Sequence, residues 1–519
     1  MSQRLDAVLW KRLFERSARP GMSLQRQIRE MLVAAILDGH LPAGVAIPSS
    51  REMAEQLSVA RNTVVLAYQQ LTDEGYLIAR ERSGCFVNPA VLADAAGRAA
   101  RPSAGGFGGD GGNGGNRAEG RGNHPAAAAP DWASRLRLRP AAQRSIVKPA
   151  DWQAYPYPFL YGQFDATLFP TADWRECCLK TLSVLDIRDW APDQINRDDE
   201  SLVQQIRTRV LPRRGVWASA DEVVVTVGAQ HALYLVADLL MSASTRVGIE
   251  DPGYPDARNI FACRTAQLVP LPIDGDGLPA GDALRGLDYV YATPSHQCPT
   301  GVTMPLARRQ ALLQAAQDHD FVVIEDDFEC ENRFAGEPTA ALKSLDPNGR
   351  VIYVGSLSKS WAPGLRLGYV VASAALIAEL RALRRLMLRH PSAFVQRAFA
   401  LFLSLGHHDS QLRRIAAAQR ERGAAVLDAM ARHAPQCTVA PLSGGGSCWV
   451  RLPDGVSARA LAARAAARGV LIEPGDVFFH ADAPPCEYFR LGYQSIPAKS
   501  IEPGIRLLAQ ALAEGHSGR

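Results

Sequence analysis

Apolar side chains recur every three or four positions over 23–39, where Leu24, Ile28, Met31, Leu32, Ala35 and Ile36 form one stripe. That spacing predicts an amphipathic helix, which Gly39 stops. After a turn rich in proline and glycine, Ser49, Ser50, Arg51 and Glu52 have the form of a capping box and predict a short helix through Leu57. A tight connection at 58–60 leads into a further helix, with Val64, Ala67, Tyr68 and Leu71 facing inwards and Arg61, Asn62 and Thr63 in its first turn on the wet face. Residues 76–87 read as two short strands around a polar turn at 81–84. Over 91–131 the periodicity disappears into glycine, alanine and arginine, a composition that cannot bury enough apolar surface to offset its ordering entropy. From about Trp152 strands and helices alternate. Apolar runs at 222–227, 245–250, 289–293, 321–325 and 351–355 are interleaved with helical stretches such as 231–241 and 306–317, the pattern of a mostly parallel sheet sandwiched by helices. Beyond Ala374, long helices and short strands at 437–442, 448–452, 470–474 and 488–492 predict a smaller α/β domain.

These patterns divide the 519 residues into an N-terminal unit over 1–90, a flexible linker over 91–150 and an α/β unit over 151–515. With 47% hydrophobic residues the chain exceeds one core and suggests about three compact units, or two unequal ones. A Gly-rich linker of about 60 residues has an end-to-end distance of roughly 40 Å. No run of 18 apolar residues occurs and the first residues are charged throughout, so neither a membrane span nor a secretory signal is expected, and a cytoplasmic protein is. Nine scattered cysteines without C-x-x-C spacing read as reduced thiols, with no metal site. The net charge of +4 is uneven: residues 1–88 carry 11 Lys/Arg against 9 Asp/Glu, residues 89–150 carry 9 against 4, and the remainder 37 against 40. The first 150 residues would therefore attract a polyanion.

Helix, helix, turn, helix and two-stranded wing is the order of a winged helix-turn-helix. In that fold the second helix of the pair enters the major groove, its N-terminal dipole favours phosphate and its first side chains reach base edges. The run resembles the GntR-type DNA-binding domain, with Pro48-Ser49-x-Arg51, Arg61-Asn62-Thr63-Val64 and the wing glycine Gly84 standing where that family places its contacts. The resemblance implies that Arg51, Arg61 and Asn62 contact bases or phosphates of double-stranded operator DNA. Thr63 would bind phosphate, and Arg82 and Gly84 would approach the backbone from the wing.

The candidate chemistry lies at strand ends. The run 351–355 ends in a small-residue loop, Gly355, Ser356 and Ser358, that carries Lys359 and turns at Pro363-Gly364 towards Arg366. A lysine at the end of an apolar strand is costly unless used, since burial disfavours its charge. One use is a Schiff base with an aldehyde cofactor; the other reading is an exposed loop lysine. The run 321–325 delivers Asp326, which either pairs with a pyridine nitrogen, as in pyridoxal-phosphate sites, or caps a helix. Gly228, Ala229 and Gln230 open a helix after a strand, where backbone N–H groups can bind phosphate. Tyr254, in Asp251-Pro252-Gly253-Tyr254-Pro255, offers a ring for a flat cofactor or is simply part of a turn. With the loop at 294–301, five such elements leave the carboxyl ends of strands, where open α/β sheets bind ligands.

Residues from about 155 onwards look like a fold-type I aminotransferase, and S-L-S-K-x-x-x-P-G-L-R is the most specific of the shared motifs. With the GntR-type unit, the whole chain resembles the MocR/GabR-type regulators. That resemblance implies pyridoxal 5'-phosphate held by Lys359, Asp326 on its ring nitrogen, and Tyr254 stacked on the ring. Gly228, Ala229, Gln230, Ser356, Ser358 and Arg366 would surround the phosphate, and Arg490, in YFRLGY, would bind the carboxylate of an amino acid. Two positions depart from the pattern. Phe328 stands where the family has a tyrosine hydroxyl, and Cys298 where dedicated aminotransferases have an asparagine that His296 or Gln297 would have to replace. The implied function is a homodimeric regulator whose small amine or amino-acid effector displaces Lys359 and changes DNA binding, with at most a partial transamination half-reaction. The alternatives are a working aminotransferase with an accessory DNA-binding domain and a regulator that senses pyridoxal phosphate itself.

Overall fold

The computed structural model describes residues 7–18, 22–80, 84–89, 130–329, 340–357, 359, 362–442 and 444–514. Arg82, Ser358 and the linker up to residue 129 lie outside the described residues. The chain divides into two compact units, Met1–Ala128 and Ala129–Arg519.

In the first unit, α1 (Ala7–Arg16), α2 (Leu24–Leu37), α3 (Ser50–Leu57) and α4 (Arg61–Asp73) precede an antiparallel hairpin of β1 (Leu77–Arg80) and β2 (Gly84–Val87). The side chain of Ser23 caps α2 by accepting from the Arg26 N–H, and Ser49 caps α3 by accepting from Glu52. The buried stripe of α2 runs from Ile28 to Ile36, while Leu24 is exposed in the first turn. Helix α1 was not foreseen from the pattern. It places Trp10 in the same core as Ile28, Met53, Val64 and Leu77, with Leu13 and Phe14 packed beside it.

In the second unit a short helix, Trp132–Arg135, precedes β3 (Tyr157–Pro158), which pairs with a strand of the C-terminal domain. The unit continues with a seven-stranded sheet of β4 (Val223–Thr226), β5 (Val247–Asp251), β6 (Leu268–Pro272), β7 (Tyr289–Ala292), β8 (Val322–Asp327), β9 (Val351–Ser356) and β10 (Gly368–Val371). Their order is β4-β10-β9-β8-β7-β5-β6, and only β10 runs antiparallel to its neighbours. Strands covered by helices on both faces must be apolar throughout, which is why β4, β9 and β10 are almost continuous valine, isoleucine and tyrosine. The helix Gly228–Leu240 lays Ala232, Leu233, Leu235 and Val236 on one face of the sheet.

The C-terminal domain has a four-stranded antiparallel sheet in the order β11 (Thr438–Val439), β12 (Ser447–Arg451), β15 (Tyr488–Gly492), β14 (Glu473–Pro474), and β13 (Val470–Leu471) pairs in parallel with β3. The helices His407–His433 and Ala498–Glu514 close its core around Phe159, Val450, Phe489 and Ile505.

Arg384 anchors the helix Ala374–Leu388 to the sheet. Its wholly buried guanidinium pairs with Asp198 and donates to the carbonyls of Val225 and Asn196, both at 2.6 Å. Arg384→Met would leave the buried Asp198 carboxylate with only the more distant Arg381, at 3.7 Å, as counter-charge, and urea unfolding should register a loss of about 3 kcal/mol; a loss under 1 kcal/mol would refute this role.

Candidate functional site

One cavity gathers residues from separate strand ends. β4 leads into Gly228, Ala229 and Gln230, β5 into Tyr254, β7 into Cys298, β8 carries Asp326 and Phe328 follows it, β9 ends at Ser356 and leads to Lys359, and Arg366 precedes β10. All of these line the cavity, and Arg490 on β15 joins them from the C-terminal domain. Of the residues expected for the cofactor and its ligand, only Ser358 is outside the described residues.

The register brings the chemistry together. β8 and β9 are parallel neighbours, with Asp326 opposite Val354 and Asp327 opposite Gly355. Successive residues of a strand face opposite sides of the sheet, and the two carboxyls divide accordingly. Asp327 is bound by Arg214 Nε at 2.8 Å and by the Tyr353 hydroxyl at 2.6 Å. Burial works against its charge, but Arg214 and the hydrogen bonds outweigh that and hold the carboxyl below its usual range. Asp326 accepts from the Tyr291 hydroxyl at 2.8 Å through Oδ2, while its buried Oδ1 has no partner among the described residues. Burial pushes this carboxyl up to about 7, with Tyr291 and Lys359 opposing. A cation or a protonated ring nitrogen beside Oδ1 would supply the missing partner.

Lys359 is half-buried, its Nζ 5.2 Å from the centre of the Tyr161 ring and 5.9 Å from that of Phe328. Burial lowers the amine's pKa, partly countered by the Glu329 carboxylate. Glu329 is itself engaged, taking hydrogen bonds from the Tyr161 hydroxyl at 3.1 Å and the Gln494 amide at 2.7 Å.

At the opposite end, the helix Gly228–Leu240 begins without a side-chain cap. Gly228 has φ +75°, and a Cβ there would stand 3.2 Å from the Arg366 guanidinium. A helix N-terminus facing an arginine favours a phosphate. Tyr254 lines the wall with its hydroxyl 3.2 Å from Asp256, which also takes a hydrogen bond from Gln230 at 3.1 Å.

Neither candidate for the missing asparagine replaces it. Gln297 spends its amide on Glu250, Pro252 and the Cys298 carbonyl, and its oxygen on Thr300. His296 lies 3.5 Å from Glu329, in an adjoining cavity. The residue that lines the main cavity here is the buried Cys298, whose thiol burial pushes up to about 12 and so keeps protonated. Several lining or supporting residues escaped the sequence reading: Tyr291, Tyr161, Lys148, Glu329 and Glu473. Tyr291 had a local signal, a polar tip inside an apolar strand; the others are brought in from distant segments.

In the winged unit, Arg51 is exposed beside Glu55 at 3.7 Å, and Arg61 and Asn62 are exposed in the first turn of α4, whose cap residue Ala60 has no side-chain oxygen to offer. Thr63 is half-buried, and Gly84 opens β2 at φ +98°. Arg80 lies over the Phe86 ring of the wing.

A winged helix with a basic, uncapped recognition-helix start and a fold-type I aminotransferase-like unit with a cofactor-shaped cavity define the class: a DNA-binding protein fused to an aminotransferase-like domain. Residues 24–87 match the family of bacterial regulatory proteins of the gntR type, and residues 200–502 match aminotransferase class I and II. The chain is 42% identical over 490 residues to the HTH-type transcriptional regulator TauR of Rhodobacter capsulatus, covering 94% of this chain and 96% of that one. It is 32% identical to the probable rhizopine catabolism regulatory protein MocR of Rhizobium meliloti, covering 94% and 93%. Among solved structures it resembles the kynurenine aminotransferase of Pyrococcus horikoshii, with TM-score 0.67 and 26% identity over 74% of this chain and 98% of that one. The chain belongs to the MocR-type family of transcriptional regulators, in which a GntR-type domain is joined to a class I and II aminotransferase domain. No described helix is long and apolar enough to cross a membrane.

The Asp326 carboxyl yields a test. Its folded pKa, about 7, lies above the unfolded value near 3.8, so the folded cofactor-free chain binds this proton more tightly and its contribution to stability is lost as pH rises from about 4 to about 7. In denaturant titrations of the cofactor-free protein, Asp326→Asn should remove up to about 1.4 kcal/mol per pH unit of that decline. An identical slope in the variant would mean that the carboxyl titrates normally.

Proposed function

We propose that this chain is a ligand-responsive transcriptional regulator. Its winged unit binds double-stranded operator DNA, and its aminotransferase-like unit holds pyridoxal 5'-phosphate and senses a small amine or amino acid. One observation carries the reading: in a chain that also bears a winged helix, Lys359, the buried oxygen of Asp326 that has no partner among the described residues, and the Gly228–Arg366 cradle face a single cavity.

When bound, pyridoxal phosphate supplies an aldehyde that reacts reversibly with amines and a ring that withdraws electrons. Lys359 would hold it at the end of β9, its lowered basicity keeping more of the amine in the neutral, reactive form. Asp326 Oδ1 would keep a proton on the ring nitrogen, with Tyr291 fixing the carboxyl's orientation. The N–H groups at Gly228 and Ala229, with Gln230, Ser356, Ser358 and Arg366, would surround the phosphate, and Tyr254 would cover one ring face. Lys359 would be the group with which an incoming amine competes, and Arg490 would meet the acid group of an amino acid. DNA affinity then changes by the difference in the ligand's free energy between two arrangements of the protein.

Phe328 lines the cavity without a hydroxyl, and the Cys298 thiol replaces an amide with a weak donor. Both losses favour sensing over turnover, with at most a half-reaction. A second copy of the chain is supported by the exposed Leu182, Val184 and Leu185, an apolar patch that water would not favour on a monomer. In the cytoplasm a dimer would present two winged units to paired half-sites.

Two variants separate the halves of this reading. The purified protein should carry a visible absorption band that borohydride abolishes while fixing the cofactor covalently to Lys359, and Lys359→Ala should lack both the band and the fixation; an unchanged spectrum would refute the lysine's role. Arg61→Ala should weaken binding to a duplex recovered by selection from random sequences by about tenfold or more, with cofactor content unaltered. Equal affinity in a gel-shift titration would remove α4 as the reading helix.

A further inference from the structure

The operator-binding reading, on which this inference rests, leaves unexplained an apolar pair on the helix that would enter the groove. Among the described residues of the winged unit, the exposed large apolar side chains are Leu24, Leu37, Val65 and Leu66. Leu24 and Leu37 are the first and last residues of α2, where a helix frays. Val65 and Leu66 are different: they sit side by side in the second turn of α4, 39% and 51% exposed.

Helix propensity does not place them there. A wet helical position favours a straight polar side chain, and a β-branched valine loses side-chain freedom against the preceding turn. Folding does not use them either, since α4 packs on the core through Val64, Ala67, Tyr68 and Leu71. At 3.6 residues per turn, the opposite side of α4 is a stripe of Arg61, Asn62, Val65, Leu66 and Gln69, every one exposed.

The surroundings of the pair select a nucleic acid over an apolar protein surface. Arg61 leads the stripe, and its Nε donates to the Ser50 hydroxyl at 3.5 Å, so the starts of α3 and α4 stand together. Arg51, exposed in the first turn of α3, adds a second guanidinium. Two helix starts and two arginines favour phosphate beside the stripe. A major groove offers both partners at once: phosphates on its rim and, among the base edges on its floor, the apolar C5-methyl of thymine. Val65 lies four residues beyond Arg61, about 6 Å along the helix, the rise of roughly two base pairs.

We propose that Val65 and Leu66 form a thymine-methyl-reading patch, so that α4 selects operators with a thymine within about two base pairs of the base met by Arg61. Arg61 and Asn62 then read hydrogen-bonding edges, and the apolar pair reads the one group that separates thymine from an unmethylated pyrimidine.

The full chain is used to enrich a duplex from random sequences, and each thymine of that duplex is replaced in turn by deoxyuridine, which deletes the methyl and keeps the pairing and hydrogen-bonding edges. At one or more thymines within about two base pairs of the position whose preference Arg61→Ala relaxes, the deoxyuridine duplex should bind about fourfold more weakly, the worth of one buried methyl group. The double variant Val65→Ala, Leu66→Ala should bind the thymine and deoxyuridine duplexes equally; both sites are exposed and alanine favours a helix, so the fold is kept, with unchanged circular dichroism as the check. A wild-type scan in which no deoxyuridine weakens binding overturns the patch without any variant. A methyl effect that persists in the double variant overturns it too, and a changed sedimentation of that variant would then assign the pair to a protein contact. Weaker binding by Arg61→Ala in the absence of any methyl effect leaves the operator reading standing, whereas failure to enrich a duplex removes both.

Discussion

The site depends on two parallel strands lying side by side at the middle of one sheet. β8 carries Asp326 next to its last residue and β9 leads to Lys359, so a carboxyl and an amine that are 33 positions apart in the chain open into one cavity. Neither is comfortable there. Burial raises the acid's pKa and lowers the amine's, so the cavity without a ligand holds two groups whose charged forms it disfavours. A fold keeps such groups at a ligand site when a bound partner relieves them, and Asp326 Oδ1 is the atom most directly in want of one.

Two groups of cations line the cavity. The open helix start at Gly228 and the Arg366 guanidinium favour an anion, and Lys148 and Arg490 are offset in part by Glu473. Tyr161, Tyr254 and Phe328 line it as well, flat side chains suited to a flat ring. Phe328 and Cys298 belong to the same lining. Relative to the family pattern both positions lack a strong hydrogen-bond donor.

The carboxylate that binds Arg490 has a structural reason as well. A guanidinium fully buried on β15 and lying over the rings of Tyr161 and Phe478 needs a counter-charge, and Glu473 supplies it from the neighbouring strand. The same carboxylate then reaches the half-buried Lys148, so residues 143–148, the C-terminal domain and the cavity are linked by one charge network.

Much of this protein is local and therefore legible in its sequence. Helix caps at Ser23 and Ser49, the apolar strand runs and the loops that follow them depend on neighbours within a few positions, and they determined the winged unit, the α/β class and the strand ends at which Asp326 and Lys359 sit. Helix α1 escaped because three inward residues, Trp10, Leu13 and Phe14, are too few to stand out among charges. What only the tertiary structure decided is pairing across distance: Glu473 against Arg490, Tyr291 against Asp326, and Lys148 brought from a segment of linker-like composition to the cavity wall. Such pairs leave no periodic trace, because a buried charge finds its partner through strand register and packing rather than through spacing along the chain.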